Sequence, residues 1–342
     1  MSELNNVTTQ QLGEITVYCG GGAGIAIGKY FEADRNKTIQ GHAAMRLYYM
    51  DTSKASNFGV PEQYFYHLGN ATGEDTDGSG GIRSEHGETI GEHAKEILQK
   101  FPPADASILI SSTTGGSGCN YIQALASELL AQGKLVFIFH VGSDDTLNYI
   151  KNTISTLAGY PNIAKLRGMP VILSYFQNGK DGTAEEVDEA IRSEIACLTV
   201  LFSRQNRNMD SRDLYHWANF SRRGVTSFEP QVAVLKIGRG KVPASDQSLI
   251  SLATLSNSLN DTKADRPVEF QRVGIPMYDL TEDQLKGYPL HFGIFDGFMD
   301  TVMKDMKKQR DDFALKAAGR VIRNNLTSDS GKVSANGMVY DD

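Results

Sequence analysis

Residues 106–119 read ASILISSTTGGSGC, an apolar run that passes directly into a glycine-rich segment. The first part, Ala106 to Ser111, has the length and apolar content of a buried strand. After the glycines, apolar residues recur at helical spacing until Gly133. A strand, a glycine loop and a helix in this order are typical of α/β nucleotide sites, where the first amides of the helix bind phosphate. The stretch therefore predicts an α/β fold with a phosphate site.

Two further glycine segments support this prediction. Glu14 to Cys19 predicts a buried strand, and Gly20-Gly21-Gly22-Ala23-Gly24 follows it as a loop before an apolar helix start at Ile25. Gly78-Ser79-Gly80-Gly81 ends a polar stretch predicted to be a mobile loop. The chain holds 34 glycines, against about 24 expected at the usual frequency. The three segments contain a number of glycines equal to this excess.

The rest of the chain continues the alternation of strands and helices. A long amphipathic helix is predicted over 183–202 and another over about 295–324, followed by a polar tail. Strands that are mostly apolar and alternate with helices favour a parallel sheet covered on both faces. Further strands are predicted at 45–50, 64–68, 134–141, 170–176, 231–237, 269–275 and 288–294.

A length of 342 residues predicts about two domains. We expect a nucleotide-binding domain over 13–181 and a central connecting helix over 182–206. A second domain over 207–294, a long helix over 295–324 and a flexible tail over 325–342 follow.

Charge and composition exclude several classes of function. Acidic residues outnumber basic ones by 41 to 34, a net charge of −7, which disfavours a nucleic-acid partner. Three well-separated cysteines predict reduced thiols rather than disulfides or a zinc site. No stretch has the length and apolarity of a membrane helix, and the amino terminus lacks a signal-peptide pattern. We expect a cytoplasmic protein that binds neither membrane nor nucleic acid.

The three glycine segments are expected at the carboxyl edge of the sheet, where their amides form an anion site without basic side chains. Tight turns are the alternative explanation for each segment alone. No P-loop lysine motif is present. A dinucleotide fingerprint beginning at Gly22 fails at Ile27, unless a longer spacing reaches Gly28. A nicotinamide oxidoreductase is thus a weaker alternative.

The third glycine segment resembles the signature of the tubulin/FtsZ superfamily, which also lacks a P-loop lysine. Asn208-Met209-Asp210-Ser211-Arg212-Asp213 matches the NxDxxD motif of that family's synergy loop, about ninety residues later and just after a long helix. The segment 216–220, the final helix and the terminal 337–339 look like the PhuZ-type tubulins of large bacteriophages. The resemblance extends over the chain from Glu14 onward and implies a tubulin/FtsZ-like fold.

The resemblance implies a site for GTP and GDP with Mg²⁺. Asp51 matches a family position near the phosphates and an indirect metal contact, and Asp144 or Asp145 falls near the ribose. Asp188 stands where the family places an asparagine against guanine; a carboxylate can accept from both guanine donors, although it equally complements the helix dipole. The implied phosphate-loop residues are Gly20, Gly21, Gly22, Ala23, Gly24, Gly78, Ser79, Gly80, Gly81, Thr114, Gly115, Gly116, Ser117, Gly118 and Cys119.

Three residues depart from the family pattern. Thr114 replaces the first glycine of the signature, Cys119 replaces its last hydroxyl, and Ala26 stands where the family often has asparagine. A filament protein that binds nucleotide and hardly hydrolyses it is the corresponding alternative.

The NxDxxD residues carry the predicted hydrolysis. Phosphoryl transfer to water needs charge neutralisation and an oriented water. In the family, the residues matching Asn208, Asp210 and Asp213 complete the site of the next subunit in a head-to-tail filament. Helix capping is the alternative role of the two aspartates.

The expected function is that of a polymerising GTPase, a phage spindle protein that positions the phage nucleus or DNA in the host cytoplasm. Plasmid-partitioning and cell-division tubulins are alternatives within the superfamily. Lateral contacts are expected through the final helix and the tail, with a possible phage cargo. The tail's Asp329, Asp341 and Asp342 would face a neighbour's basic residues, or the tail is a frayed end; the basic residues are Lys304, Lys307, Lys308 and Arg310.

Overall fold

The computed structural model describes residues 12–57, 59–69, 77–258, 264, 266–277, 289–318, 332–333 and 339–340. Within these residues the chain is a mixed α/β structure. The helices are α1 Gly21–Lys29, α2 Gly87–Lys100, α3 Gly118–Ala131, α4 Leu147–Arg167, α5 Ala184–Leu201, α6 Ser211–Ala218 and α7 Phe298–Ala318. The strands are β1 Glu14–Gly20, β2 Ala44–Asp51, β3 Phe65–His67, β4 Ala106–Ser112, β5 Leu135–Gly142, β6 Val171–Gln177, β7 Asn206–Arg207, β8 Val232–Arg239, β9 Leu249–Leu255, β10 Phe270–Pro276, β11 Leu290–Phe295, β12 Lys332–Val333 and β13 Val339–Tyr340.

Eleven of these strands form one sheet in the order β3-β2-β1-β4-β5-β6-β8-β11-β9-β10-β7. All strands from β3 to β8 in this order pair in parallel, as predicted for the amino-terminal half. One face of this half packs against α1 and α5, and the other against α2, α3 and α4. Because both faces are covered, β1, β4 and β5 are almost wholly buried.

The second half of the sheet is mostly antiparallel. β11 runs antiparallel to both β8 and β9, whereas β9 and β10 are parallel. The two halves join where Val171–Leu173 pairs with Val232–Val234. Trp217 of α6 is fully buried against this sheet, and its Nε1 donates to the carbonyl oxygen of Phe292 at 3.0 Å.

The strand β9 was not predicted from the sequence. All seven of its residues are buried, and Ser251 and Thr254 interrupt its apolar run, so neither alternation nor a continuous apolar stretch marks it. Short buried runs of this kind cannot be identified by periodicity alone.

The long amphipathic helix predicted over 183–202 is confirmed as α5. It begins with a capping box in which Thr183 accepts from the amide of Glu186 and the Glu186 side chain accepts from the amide of Thr183. The expected apolar positions are all buried, namely Val187, Ile191, Ile195, Leu198 and Phe202. This buried stripe fixes α5 against the sheet.

The final helix starts later than its pattern predicts, because Phe295 is the fully buried last residue of β11. α7 lies beside α4, with Met306 buried and Val302 in contact with the core. Phe313, predicted on the same face, is 38% exposed. Residues 319–324, the side chains of Phe298 and Met299, and all of the predicted tail except two pairs of residues lie outside the described part. No helix in the described ranges could cross a membrane.

Candidate functional site

The first and third glycine segments pack directly against each other at the carboxyl edge of the sheet. A Cβ on Gly118 would lie 2.6 Å from the carbonyl oxygen of Gly20, and one on Gly20 would lie 2.9 Å from that of Gly118. Gly21 has a φ of +69°, which favours glycine. These glycines are therefore required for the contact that brings the amino termini of α1 and α3 together.

The first glycine segment is a helix start, and its prediction as a loop before Ile25 was wrong. α1 begins at Gly21. Gly24 faces the sheet, since its Cβ would lie 2.3 Å from the carbonyl oxygen of Ile110. Gly22 faces open space, with nothing within 4 Å of an added Cβ, and Ala23 is partly exposed. The open side of this first turn carries amides that have no partner within the helix.

The second glycine segment lies against the third. Gly78, Gly80 and Gly81 all have positive φ. A Cβ on Gly116 would lie 2.4 Å from Oγ of Ser79 and 2.9 Å from the amide nitrogen of Ile82. All three predicted segments thus meet at one place.

Asp51 contacts this cluster. It ends β2 and is 5% exposed. Its carboxylate accepts from Oγ of Ser117 at 2.7 Å and from Oγ of Ser56 at 2.6 Å. The neighbouring Thr52 hydroxyl is buried and finds no hydrogen-bond partner among the described residues. Asp51 therefore links the end of β2 to the third segment.

Two predicted phosphate-loop residues, Thr114 and Cys119, use their side chains for hydrogen bonds within the protein. Cys119 is fully buried, and its Sγ donates to the carbonyl oxygen of Gly115 at 3.2 Å. Its side chain therefore cannot reach a ligand in the open cradle, although its amide lies in the first turn of α3. Thr114 donates its hydroxyl to Oγ of Ser112, which also accepts the amide of Gly115.

Asp144 and Asp145 follow β5 at the same edge of the sheet. The amide of Asp145 donates to Oγ of Ser143 at 3.2 Å. Burial, and then the charge of Asp144, raise the pKa of Tyr175. Tyr175 packs on Gly142, where a Cβ would lie 1.9 Å from the phenol oxygen.

Asp188 lies in the second turn of α5 and is partly buried. Burial raises the pKa of its carboxyl, and the guanidinium of Arg192 opposes that shift. Arg192 lies 4.5 Å from the ring centre of Tyr30, directly after α1. Asp188 is therefore on the part of α5 that approaches the helix of the first segment.

The NxDxxD residues form the amino terminus of α6. Oδ1 of Asp210 accepts from the amides of Arg212 and Asp213, both at 2.9 Å, and Oδ2 of Asp213 accepts from the amide of Asp210 at 3.2 Å. Asp210 and Asn208 are exposed, and Asn208 has a φ of +70°. Asparagine is one of the few residues with a side chain that adopts this conformation readily.

These aspartates lie at the edge of the sheet opposite the glycines. The loop before α6 is tied to the start of β4 by the ion pair of Arg204 with Asp105 at 2.5 Å. Asp105 also accepts from the amide of Glu14 at the start of β1, at 3.0 Å. The seven residues of β4 separate this edge from the third segment by about 20 Å. A cleft of about 530 Å³ opens beside Asp210 and Asp213.

Gly28 would complete a dinucleotide fingerprint at the longer spacing, but it has a packing role instead. A Cβ there would lie 2.3 Å from Sγ of Cys19 and 3.0 Å from the ring of Tyr49. Glycine at this position lets α1 lie against the sheet.

A metal fits this site only together with an anionic ligand. No group of three or more His, Cys, Asp or Glu side chains among the described residues could hold a metal ion. Mg²⁺ commonly takes one or two carboxylates and completes its shell with phosphate and water. Asp51 is a buried carboxylate beside the glycine segments.

The sequence reasoning missed the asparagines that hold the glycine segments together. Asn152 of α4 donates from Nδ2 to the carbonyl oxygens of Gly81 at 2.9 Å and Thr114 at 2.8 Å. Helical spacing in α4 gives no signal for this contact, which only the packing of α4 onto the loops creates.

Two known proteins are similar to this chain in sequence. The sequence is 23% identical over 265 residues to a phage tubulin-like protein of Pseudomonas phage phiKZ, covering 77% of this chain and 79% of that protein. It is 24% identical over 270 residues to a phage tubulin-like protein of Pseudomonas phage 201phi2-1, covering 77% and 83%. No protein-family model matches the chain.

Solved structures superpose on almost the whole of this chain. A TubZ protofilament from bacteriophage PhiKZ superposes with a TM-score of 0.80 at 22% identity, covering 95% of this chain and 99% of that one. The chain has the tubulin fold. The phage tubulin PhuZ with GDP gives a TM-score of 0.79 at 20% identity, with 95% and 99% covered. A protofilament of Bacillus thuringiensis TubZ gives 0.63 at 12% identity, with 90% and 95% covered. The resemblance to PhuZ-type tubulins predicted from the sequence is confirmed.

Proposed function

We propose that this protein binds GTP and GDP and hydrolyses GTP between the subunits of a head-to-tail filament. The observation that carries the proposal is the position of two half-sites at opposite edges of one sheet. The glycine segments and Asp51 form one half, and Asp210 and Asp213 form the other. Because about 20 Å of strand separates them, one chain cannot bring them together.

Head-to-tail stacking of subunits would bring the two half-sites together. Such a contact is heterologous, so it repeats without closing and generates a filament. Each junction would place the carboxylates of Asp210 and Asp213 of one subunit over the glycine cradle of the next. Similar structures support this arrangement, since one is a protofilament, another is a filament and a third holds GDP.

The proposed chemistry divides between the two halves. The amides at the starts of α1 and α3 would bind the phosphates, with Asp51 near a Mg²⁺ that neutralises phosphate charge. Asp210 and Asp213 would orient the attacking water, and Asn208 would hold the turn that presents them. Asp144 or Asp145 would lie near the ribose, and Asp188 would accept from guanine.

The similarity to tubulin-like proteins of two Pseudomonas phages supports a cellular role in phage infection. We propose a phage spindle filament in the host cytoplasm that positions the phage nucleus or DNA. Lateral filament contacts would use α7 and the tail. Imaging filaments of the tagged protein in infected cells tests this role, and a diffuse signal throughout infection would contradict it.

The shared site is tested by mixing two inactive variants. Asp210→Asn keeps the glycine cradle and loses one carboxylate. Gly22→Asp keeps both NxDxxD aspartates and puts a carboxylate into the open side of the cradle, where an added Cβ meets no protein atom. Only a junction that combines the cradle of the first variant with the aspartates of the second is complete.

We expect each variant alone to release little phosphate. When the two variants add in random order, about one junction in four combines an intact cradle with intact aspartates. The mixture should therefore recover up to about one quarter of the wild-type rate. A mixture as inactive as its components, while wild-type protein is active, would contradict a site shared between subunits. A wild-type rate per subunit that is independent of protein concentration would contradict it as well.

A further inference from the structure

Buried asparagine carboxamides hold the backbone of the second and third glycine segments. Asn152 is 7% exposed, and its Nδ2 donates one hydrogen bond to each segment, through the carbonyl oxygens of Gly81 and Thr114. A carboxamide nitrogen has two hydrogens to donate. Both donors of Asn152 are therefore used to join the two segments.

Asn120 of α3 repeats this arrangement at the other end of the contact. It is 7% exposed, and its Nδ2 donates to the carbonyl oxygens of Arg83 at 2.7 Å and Gly116 at 3.0 Å. The two asparagines thus engage four carbonyl oxygens, two on each side of the contact between the segments.

α4 is itself fixed to the third segment at the adjacent position. Thr153 is fully buried, and its hydroxyl lies 2.9 Å from the hydroxyl of Thr113. This contact anchors the backbone from which Asn152 extends. Asn148, one turn earlier and exposed, donates only to the oxygen of Gly81, at 3.1 Å.

We propose that Asn152, supported by Asn120, is a positioning residue for nucleotide phosphate. The proposal rests on the guanine-nucleotide site proposed above. A carbonyl oxygen that turned into the cradle would repel phosphate oxygens, whereas one bonded to Asn152 is held away from them. The same two bonds fix the gap between the second and third segments, so the cradle is formed before the ligand arrives.

The test compares GDP binding by four proteins at subunit concentrations too low for polymerisation. Asn152→Asp keeps the side-chain shape and replaces the donor by an acceptor that faces two carbonyl oxygens. Asn152→Ala removes the donor without adding repulsion, so it serves if the aspartate variant does not fold. Asn162→Ala, an exposed asparagine of the same helix, is the matched control beside the wild type.

We expect Asn152→Ala to bind GDP about tenfold more weakly, since two hydrogen bonds of ordinary strength hold the geometry. Asn152→Asp should bind more weakly still, and Asn162→Ala should match the wild type. The nucleotide-free melting temperature of Asn152→Ala should fall, because two buried carbonyl oxygens lose their donor, and the rise in melting temperature on adding GDP should shrink as well. A purely structural role would lower the nucleotide-free melting temperature in the same way but leave the GDP affinity of the folded fraction unchanged.

The outcomes separate this proposal from the one on which it rests. Wild-type protein that binds no guanine nucleotide would refute the proposed function. Wild-type protein that binds GDP, together with Asn152→Ala and Asn152→Asp within twofold of it, would refute the role of Asn152 and leave the function standing.

Discussion

Oδ1 of Asp213 accepts a hydrogen bond from Nε of Arg272 at 2.7 Å, so a residue proposed to orient water is paired with a cation of β10. The other oxygen of Asp213 accepts from the amide of Asp210. Both oxygens are thus held in place on the surface of a single subunit. The half-site at this edge is formed before any neighbour binds.

Asp210 has two roles that substitutions can separate. Asparagine caps helices about as well as aspartate, so Asp210→Asn should unfold in urea within about 0.5 kcal/mol of the wild type. Asp210→Ala should lose about 1 kcal/mol. Both should bind GTP as subunits, lose most phosphate release, and leave filaments that persist.

Urea titrations and phosphate-release assays at high protein concentration measure the two effects. Asn208→Gly, which suits the positive φ, serves as a control for the turn. Normal hydrolysis by Asp210→Asn would show that Asp210 caps α6 and takes no part in hydrolysis.

Arg272 should assist hydrolysis through Asp213. Arg272→Gln removes the ion pair and leaves the Asp213 carboxylate held only by the Asp210 amide. Because the pair is partly exposed, its contribution is small, and we expect phosphate release to fall about two- to fivefold. GTP binding by isolated subunits should not change, which fluorescent-nucleotide titration checks. Weaker binding with an unchanged rate would contradict this assignment.

Gly118 should tolerate no side chain. In Gly118→Ala the new methyl would meet the backbone of Gly20, and we expect a loss of about 1–3 kcal/mol together with weaker GDP binding. Gly22→Ala is the matched change within the same cradle, where the added carbon meets no atom within 4 Å. It should be neutral or stabilise the chain by up to about 1 kcal/mol. Equal urea midpoints for the two variants would exclude the predicted contact.

Glu194 should make stability depend on pH. Its carboxyl lies between α5 and β6, 3.4 Å from Oγ of Ser174. Burial raises the pKa of Glu194 to about 8, against the opposing effects of Ser174 and Arg239. The folded chain therefore holds a proton that the unfolded chain loses near its ordinary pKa. The resulting stability is complete at acidic pH and is lost as pH rises through about 8.

The neutral variant Glu194→Gln should remove this dependence. We expect it to be more stable than the wild type by about 1–3 kcal/mol at pH 9 and nearly equal to it at pH 5. Glu189→Gln, an exposed change on the same helix, is the control and should show no such difference. Parallel pH profiles for wild type and Glu194→Gln, measured by chemical unfolding, would rule out a raised pKa for Glu194.

The sequence by itself determined the local elements and the types of residue at the site. Strands such as β1 and β4 are recognisable because they are short apolar runs ended by glycine, and α5 because its apolar residues recur at helical spacing. Gly20 and Gly118 were predicted from their places after strands, since parallel strands bring their carboxyl ends to one edge, whereas Asp51 was implied by the resemblance to the tubulin/FtsZ superfamily. The strand β9 was missed because Ser251 and Thr254 interrupt its apolar run and no glycine segment follows it.

Only the tertiary structure decided which of these residues meet. The contacts of Asn152 with Thr114 and Gly81, and of Asp213 with Arg272, join residues far apart in the chain, and local spacing contains no information about them. The opposite positions of the glycine cradle and Asp210 follow likewise from sheet order and strand direction. Local patterns depend on the near neighbours of a residue, whereas hydrogen bonds between elements depend on how the elements pack.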